Sequence, residues 1–258
     1  MTTLTLVIPV YNEQERLQKT FATLNAWRVP VGMKVDRVIF VNDGSTDSSI
    51  KLLRATPLKF SRKVINYKTN QGKGHAVKRG MLASSSDYTL LLDADMATDP
   101  AEVKKFLPLM KKNFDVIIGT RKNGHSTVTV HQPVLRENMG KIFTKLSQLT
   151  LGVQVTDFTC GFKAFSRQAK NPIFKRSLIN RWGYDSEILF LASKLGYSLV
   201  EKSVSWADQK GTKVSLAKDS IKSLEELLQV YINALKGLYQ LESTTIPTQP
   251  QFAHLPSR

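Results

Sequence analysis

The sequence has few residues that bind metals through sulfur or imidazole, and it has no long apolar run. Cys160 is the single cysteine in 258 residues, which excludes a disulfide framework and a thiolate zinc cluster and favours a reducing compartment. The four histidines show no metal-ligand spacing. No apolar run approaches the about 20 residues of a membrane span, and a strand pattern starts close to the N-terminus, so we expect no signal peptide. These absences predict a protein that is cytoplasmic or peripheral on a membrane; the basic charge and the amphipathic segments described below favour the peripheral location, on the cytoplasmic face.

Acidic residues are also scarce: 21 Asp and Glu accompany 37 Lys and Arg, giving a net charge of +16. The excess is local, because residues 104–222 hold 21 basic and 8 acidic residues, a net +13. Nucleic acid, an anionic membrane or an anionic substrate could each account for such a surface. We expect no nucleic-acid partner, since no recognition motif is present and the paired acids described next would have no purpose.

The chain is organised around a short apolar run, residues 88–92, that ends in Asp93 and Asp95. A run of this length between polar residues predicts a buried central strand. Residues i and i+2 of a strand point to the same side, so the strand would bring both carboxylates together at its carboxyl end. Mg²⁺ or Mn²⁺ prefers oxygen ligands and bridges carboxylates to substrate phosphates. The pattern predicts a divalent-metal site at Asp93 and Asp95; the alternative is a turn with acidic helix caps, the role expected of Asp99.

The first part of the chain alternates between strand and helix patterns. Predicted strands cover residues 4–9, 35–41, 64–66, 88–95 and 115–119. Such alternation predicts an α/β fold with a mainly parallel central sheet and helices on both faces, a Rossmann-like arrangement. Ligands on such sheets bind at the carboxyl ends of the strands. Asp43, Gly72, Asp93 and Asp95 all lie at or just beyond such ends.

We expect one domain over residues 1–241, made of two halves, 1–121 and 122–241. Residues 242–258 are rich in Thr, Pro and Gln and predict a disordered tail. Two segments, near 133–151 and 219–241, have the spacing of amphipathic helices. Their apolar faces could pack on the core, support a dimer or contact a membrane, and the sequence does not choose. The oligomeric state is left open.

Four motifs occur in an order that resembles glycosyltransferase family 2, inverting enzymes of the nucleotide-diphospho-sugar transferase (GT-A) fold. They are Pro9-Val10-Tyr11-Asn12-Glu13, Asn42-Asp43-Gly44-Ser45-Thr46-Asp47, Asn70-Gln71-Gly72-Lys73-Gly74 and Asp93-Ala94-Asp95. Segments 157–163, 182–187 and 211–214 look like the dolichyl-phosphate β-glucosyltransferase branch. Two features depart from that branch: its eukaryotic members have an N-terminal membrane anchor that is not seen here, and Asn42 replaces the usual first acid.

The resemblance implies that residues 1–121 form a nucleotide-sugar-binding half and residues 122–241 an acceptor-binding half, and it implies roles for the residues of these motifs. Three would line the nucleoside pocket: Pro9, Tyr11 and Glu13. Asp43 would read the uracil, which presents an N–H donor that a carboxylate accepts. The loop of Gly72, Lys73 and Gly74 would close over the nucleotide.

The same resemblance implies that Asp93 would face the ribose or the metal, and that Asp95 would bind Mg²⁺ or Mn²⁺ directly. The reaction would move a hexose, most simply glucose from UDP-glucose, to a polyprenyl (dolichyl-type) phosphate. A phosphate monoester has a second pKa of about 6, so the nucleophile is already ionised at neutral pH and needs cations more than a base. The residues we expect to hold the acceptor phosphate are Arg121, Arg136 and Lys163.

One alternative is a family 2 enzyme that uses a sugar-hydroxyl acceptor or another donor such as GDP-mannose. A hydroxyl is not ionised near pH 7, so that chemistry wants a carboxylate within reach. Asp185 or Asp157 would then be the catalytic base. The sequence leaves the choice of acceptor and donor open.

Overall fold

The computed structural model describes residues 1–122, 128–130, 134–208 and 216–241, and the side chains within these ranges except at 128–130, 134–137 and 216–220. The strands are β1 (Thr2–Val10), β2 (Met33–Asp43), β3 (Arg62–Tyr67), β4 (Tyr88–Leu91), β5 (Val116–Thr120), β6 (Val128–Val130), β7 (Lys163–Ser166), β8 (Leu199–Ser203) and β9 (Trp206–Ala207). The helices are α1 (Gln14–Ala26), α2 (Ser49–Ala55), α3 (Lys73–Leu82), α4 (Leu107–Lys111), α5 (Val134–Leu151), α6 (Arg167–Arg176), α7 (Tyr184–Lys194) and α8 (Leu216–Leu235). A 3₁₀ turn covers Pro100–Lys105.

Seven strands form one sheet in the order β3-β2-β1-β4-β7-β5-β8, and β6 pairs with β9 separately. The sheet is parallel except at β7, which runs antiparallel to both of its neighbours, β4 and β5. The predicted α/β class with a mainly parallel sheet is therefore confirmed. The antiparallel insertion of β7 was not predicted.

Both faces of the sheet are covered, because side chains alternate along each buried strand. On one face, β1 and β4 contribute Leu6, Ile8 and Leu90, which pack with Phe21 of α1 and Phe106. On the opposite face, the alternate positions of the strands pack against helices α3, α6 and α7; these side chains include Val7, Val41, Leu91, Val77, Phe174 and Ile188. Each fully buried aliphatic or aromatic side chain contributes about 1.5–3 kcal/mol, so the two layers hold the sheet rigidly beneath its loops.

Helix α3 lies unusually close to the sheet. A methyl group at Gly80 would lie 2.4 Å from Cγ1 of Val7, so only glycine permits this approach. The helix starts at Lys73, at the carboxyl end of the parallel strands. Close packing at Gly80 therefore fixes where the ammonium group of Lys73 is presented.

Two predicted elements differ in detail from those observed. The predicted strand over 88–95 ends at Leu91, and Asp93 and Asp95 lie in the turn that follows it. The alternation of a strand therefore does not explain their proximity. Helices α5 and α8 occur near the predicted segments, and the buried side chains of Leu227 and Val230 attach α8 to the core.

No helix in the described part of the chain is both long and apolar enough to cross a membrane. The division of the domain into a 1–121 half and a 122–241 half stays a prediction. The tail predicted at 242–258 and the 211–214 motif lie outside the described residues.

Candidate functional site

Asp93 and Asp95 follow β4 at the carboxyl edge of the sheet, and both are half-buried. Asp93 forms an ion pair with Lys73, with 2.7 Å between Oδ1 and Nζ. Burial alone would raise the pKa of Asp93, but the Lys73 ammonium reverses the shift and lowers it. Burial and the neighbouring Asp93 carboxylate raise the pKa of Asp95. A bound cation would relieve both the burial of the Asp95 carboxylate and its repulsion by Asp93.

The carboxylate of Asp93 rests directly on the backbone of Gly161. A methyl group at Gly161 would lie 1.9 Å from Oδ2 of Asp93, which no real side chain tolerates. Gly161 therefore belongs to the site as the residue whose missing side chain makes room for Asp93. The sequence motif contained Gly161, but its spacing did not indicate this contact.

The donor set fits a hard divalent cation. Two carboxylates, Asp93 and Asp95, meet at one turn, and among the residues that the structure describes no trio of His, Cys, Asp and Glu side chains could hold a metal alone. Mg²⁺ and Mn²⁺ sites of this kind use one or two carboxylates and complete their shell with substrate phosphates and water. The arrangement suits a metal that binds together with a phosphorylated substrate.

Asp43 organises the glycine loop before α3. Its Oδ2 accepts hydrogen bonds from Nδ2 of Asn70 at 2.7 Å and from the backbone N–H of Gly72 at 2.9 Å, and its Oδ1 accepts from the N–H of Gln71 at 2.9 Å. A carboxylate accepts about four hydrogen bonds, so little capacity is left for a uracil. The contacts of Asp43 show that it shapes the loop, and the recognition of uracil by Asp43 stays a prediction.

The backbone of the glycine loop is also engaged elsewhere. A methyl group at Gly74 would lie 2.6 Å from the carbonyl oxygen of Ile179, and Gly72 has φ 107°, in the region that favours glycine. Since the N–H groups of Gln71 and Gly72 bind Asp43, the group of this loop that faces the acids is the side chain of Lys73. Phosphate binding by the loop would use that ammonium.

The loop after β1 joins the loop after β2. Oδ1 of Asn12 accepts from the N–H of Thr46 at 2.8 Å, and the N–H of Glu13 donates to Oγ of Ser49 at 2.8 Å. Pro9, Tyr11 and Glu13 are thus held at the same edge as Asp43. Glu13 also forms an ion pair with Arg16, 3.1 Å between Oε2 and Nη1.

Arg16 is a residue of this edge that was not predicted as part of the site. It lies in the first turn of α1, and its positive charge opposes, in small part, the rise in the pKa of Asp95 that burial and Asp93 cause. The only signal in the sequence was its place one helical turn after the Pro9–Glu13 motif. Such a signal is weak, because cations near helix starts are usually solvated.

Asp157 and Arg121 form a bidentate ion pair just beyond β5. Nε of Arg121 donates to Oδ2 at 2.7 Å and Nη2 donates to Oδ1 at 2.8 Å. Burial would raise the pKa of Asp157, but the guanidinium lowers it to about 2. A carboxylate that is fully buried, paired on both oxygens and this acidic cannot collect a proton from an acceptor. This pairing with Arg121 disfavours Asp157 as a catalytic base, and that role stays a prediction.

Lys163 and Asp185 form a second buried ion pair. Lys163 lies on β7 with its side chain fully buried, and Nζ donates to Asp185 and to the carbonyl oxygen of Cys160 at 2.7 Å. In this arrangement the ammonium is bound to Asp185 and Cys160, so the predicted contact of Lys163 with an acceptor phosphate is disfavoured and stays a prediction. Asp185, in the first turn of α7, has one carboxylate oxygen committed to this ammonium.

The three cations predicted to bind the acceptor phosphate thus have different surroundings in the structure. Arg121 remains at the edge with its Nη1 group outside the bonds to Asp157 and Thr159, and its ring partner is Trp206, 5.3 Å from the guanidinium carbon. Lys163 is interior. The side chain of Arg136 on α5 lies outside the described residues.

The fold and the edge together define a class. A mainly parallel sheet with paired acids, a lysine and a glycine loop at its carboxyl edge is the arrangement of a GT-A type glycosyltransferase. The family model "Glycosyl transferase family 2" matches residues 5–174, and the chain belongs to this family.

Relatives cover almost the whole chain. The dolichyl-phosphate beta-glucosyltransferase of Dictyostelium discoideum is 31% identical over 93% of this chain and 77% of its own length. The enzyme of the same name from Saccharomyces cerevisiae is 30% identical over 92% of this chain and 76% of its own length, and the human one is 27% identical over 93% and 78%.

Solved structures support the fold. Glucosyl-3-phosphoglycerate synthase from Mycobacterium tuberculosis superposes with a TM-score of 0.64 at 18% identity, covering 89% of this chain and 80% of that one. The same enzyme in complex with Mn²⁺, uridine diphosphate and glucosyl-3-phosphoglycerate superposes with a TM-score of 0.60 at 18% identity over the same shares. The predicted GT-A fold is confirmed by this likeness.

Proposed function

We propose that the protein transfers glucose from UDP-glucose to a dolichyl-type polyprenyl phosphate, with inversion at the sugar and with Mg²⁺ or Mn²⁺ bound at Asp93 and Asp95. The relatives at about 30% identity carry that name. The structural observation that supports this acceptor is the pairing of both candidate bases: Asp157 is bound by Arg121 and Asp185 by Lys163. An enzyme whose acceptor is already an anion has no need of a free carboxylate.

The residues of the edge divide the work. Asp95 and Asp93 would hold the cation, which as a Lewis acid would neutralise the charge that develops on the diphosphate leaving group. Lys73, paired with Asp93 here at 2.7 Å, is placed to pass from that carboxylate to a donor phosphate. Asp43 and Gly161 contribute indirectly: Asp43 shapes the glycine loop that carries Lys73, and Gly161 leaves the space that Asp93 occupies.

Acceptor binding falls to Arg121 in this proposal. Asp157 grips one side of the guanidinium and fixes its plane, while Nη1 keeps donors that Asp157 does not use. Guanidinium groups bind phosphate oxygens in such fixed planes, and the pairing with Asp157 costs no reorganisation when the phosphate arrives. The acceptor oxygen would then attack the anomeric carbon as the diphosphate leaves.

We also propose that α5 and α8 contact the membrane that carries the acceptor, on the cytoplasmic face. Their outer sides carry large apolar side chains that are at least 38% exposed: Ile142, Leu146, Leu149, Ile221, Leu224, Leu228, Tyr231 and Leu235. The α8 positions recur every three or four residues and so form one stripe. The net +13 of residues 104–222 suits an anionic surface, where each basic residue contributes about 1 kcal/mol.

The experiment that tests the proposal is a panel of nucleotide sugars assayed against a polyprenyl phosphate, the dephosphorylated alcohol and a free sugar. Transfer from UDP-glucose to the phosphate alone is the expected result. Transfer to a hydroxyl acceptor, or preference for GDP-mannose, would replace the proposed acceptor or donor.

Membrane contact is tested separately with vesicles. Binding to anionic vesicles should weaken with salt, and Leu235→Glu, which charges a residue 71% exposed on α8, should weaken it further. The matched control is Val31→Glu, since Val31 is 98% exposed outside the two helices. Equal binding of neutral vesicles, or equal loss in both variants, would refute the assignment of the stripe.

A further inference from the structure

The segment 178–183 lies directly over the glycine loop that carries Lys73. A methyl group at Gly72 would lie 2.4 Å from the carbonyl oxygen of Asn180, and the backbone N–H of His75 donates to that oxygen at 3.0 Å. The ring of Trp182 lies 5.9 Å from Nζ of Lys73. The position of this segment therefore determines the room and the direction available to the lysine.

Two carboxylates from different helices hold the segment. At its start, Oε1 of Glu187 accepts from the N–H of Leu178 at 2.8 Å and Oε2 accepts from the N–H of Ile179 at 3.0 Å. At its end, Oε2 of Glu226 accepts from the N–H of Gly183 at 2.6 Å. Glu187 belongs to the neighbouring helix α7, whereas Glu226 lies on α8, 43 residues beyond Gly183.

Glu226 also supplies the side-chain cap that the start of α7 lacks. Gly183 is the residue before α7 and has no side chain with which to cap the helix. A methyl group at Gly183 would lie 2.6 Å from Cβ of Glu226, so α8 approaches the backbone there as closely as only glycine permits. A carboxylate at a helix start satisfies an otherwise unpaired N–H and interacts favourably with the helix dipole. The cap of α7 thus comes from another helix.

We propose that Glu226 is a positioning residue for the donor half of the site. By fixing Gly183 it sets Trp182 against Lys73 on one side and Asp185 in the first turn of α7 on the other. The proposal rests on the proposed function, because it takes Lys73 to be a ligand of the donor diphosphate. The contact that the described residues give Glu226 is with the backbone of Gly183, and Glu226 acts through it.

The proposal separates two tasks of α8. Exposed apolar residues such as Leu235 belong to the proposed lipid contact, whereas Glu226 is half-buried against Gly183. The preceding residue, Glu225, is exposed on the same helix. Glu225→Ala removes the same charge from the same turn and is the matched control.

The test compares Glu226→Ala, Glu226→Gln and Glu225→Ala by titration with UDP in the presence of Mn²⁺ and by the KM values for UDP-glucose and polyprenyl phosphate. Glu226→Ala should raise the Kd for UDP and the donor KM roughly tenfold, the change expected when one charge-assisted hydrogen bond is lost. Glu226→Gln keeps an oxygen that accepts from Gly183 and should restore most of the affinity. The acceptor KM and all values for Glu225→Ala should stay at wild type.

A purely structural role of Glu226 would lower the yield of folded protein and leave the donor KM of the folded fraction unchanged, which would overturn the proposal. Equal damage in Glu226→Gln and Glu226→Ala would overturn it as well. Hydrogen exchange of the peptide covering 178–183 gives a readout without substrate, and Glu226→Ala should accelerate it. If wild-type protein fails to bind UDP with Mn²⁺, the proposed function fails, and unaltered exchange in Glu226→Ala would then refute the positioning role by itself.

Discussion

Two pairs of aspartates lie near the carboxyl edge of the sheet, and they differ in how far the protein has completed them. Asp157 and Asp185 are buried, and each forms an ion pair with a cation supplied by the fold. Asp93 and Asp95 are half-buried and close to each other, and Lys73 compensates only Asp93 directly. From this difference we infer that Asp157 and Asp185 hold the loops in place, and we propose that Asp93 and Asp95 are left for a ligand that brings positive charge.

The largest effect that tests this comparison should come from Asp95→Ala. Removing a carboxylate that holds the cation should lower turnover at least about 10³-fold, because a Lewis acid on the leaving group is worth several kcal/mol. Thermal unfolding should stay cooperative at a similar midpoint, since Asp95 is incompletely paired in the fold. Activity assays with Mn²⁺ titration and a melting curve check both points. Full activity of Asp95→Ala in the presence of a chelator would remove the metal site.

The opposite behaviour is expected of Asp157→Ala. This change leaves the guanidinium of Arg121 without its partner in a buried place, which should lower the free energy of unfolding by about 3–5 kcal/mol. Urea denaturation measures the loss. The double variant Asp157→Ala with Arg121→Met, which removes the charge together with its partner, should recover part of the stability. A fully stable Asp157→Ala protein would mean that this pair is no more structural than Asp93 and Asp95.

The substitution Gly161→Ala tests whether the position of the Asp93 carboxylate matters for activity. In Gly161→Ala the new methyl group would lie 1.9 Å from Oδ2 of Asp93, so the carboxylate must move. A displacement near 1 Å in a catalytic group costs about 10²-fold, and we expect a loss of activity of about 10- to 100-fold with a folded protein. Gly140→Ala is the control, since its nearest neighbour would be Nζ of Lys122 at 3.6 Å. Equal activity in both variants would show that Asp93 has no fixed place.

The sequence predicted the position of the half-buried acids, Asp93 and Asp95, better than the ion pairs of the buried acids, Asp157 and Asp185. Asp93 and Asp95 follow a buried apolar run, and in the parallel sheet that the strand–helix alternation predicts, residues that follow a strand lie at the carboxyl edge. Arg121 and Asp157 are 36 residues apart, and Lys163 and Asp185 are 22 apart. These pairs meet because β7 runs antiparallel between β4 and β5. Neither periodicity nor motif spacing reveals that insertion.

The same limit explains why Lys163 was predicted to bind the acceptor phosphate, although in the fold it forms an internal ion pair with Asp185. Lys163 begins β7, where the register places it opposite Leu91 of β4 and Ile118 of β5. A lysine there lies in the middle of the sheet and must be paired, whereas the sequence alone treats it as one basic residue among many. Contacts to Gly161 and Gly183 were missed for a related reason, since they depend on which atom fills the space of an absent side chain.

The smallest expected effect is the contribution of Asp157 to stability in acid. Its pKa is about 2 in the folded protein against an ordinary value of 3.8, so the unfolded chain binds more protons between these two values. The contribution is therefore fully present above about pH 4 and is lost as the pH falls through 2. The difference in pKa corresponds to about 2 kcal/mol. Urea denaturation from pH 5 to pH 2 measures it.

The control for this last effect is the double variant Asp157→Ala with Arg121→Met, which should lose less stability over the same range. The pair Asp93 and Asp95 supplies the contrast, because the pKa values of these two acids shift in opposite directions. An identical acid slope in the wild type and the double variant would show that Asp157 is not held ionised by Arg121. The charge of Asp157 would then be no better stabilised by the fold itself than the charges of Asp93 and Asp95.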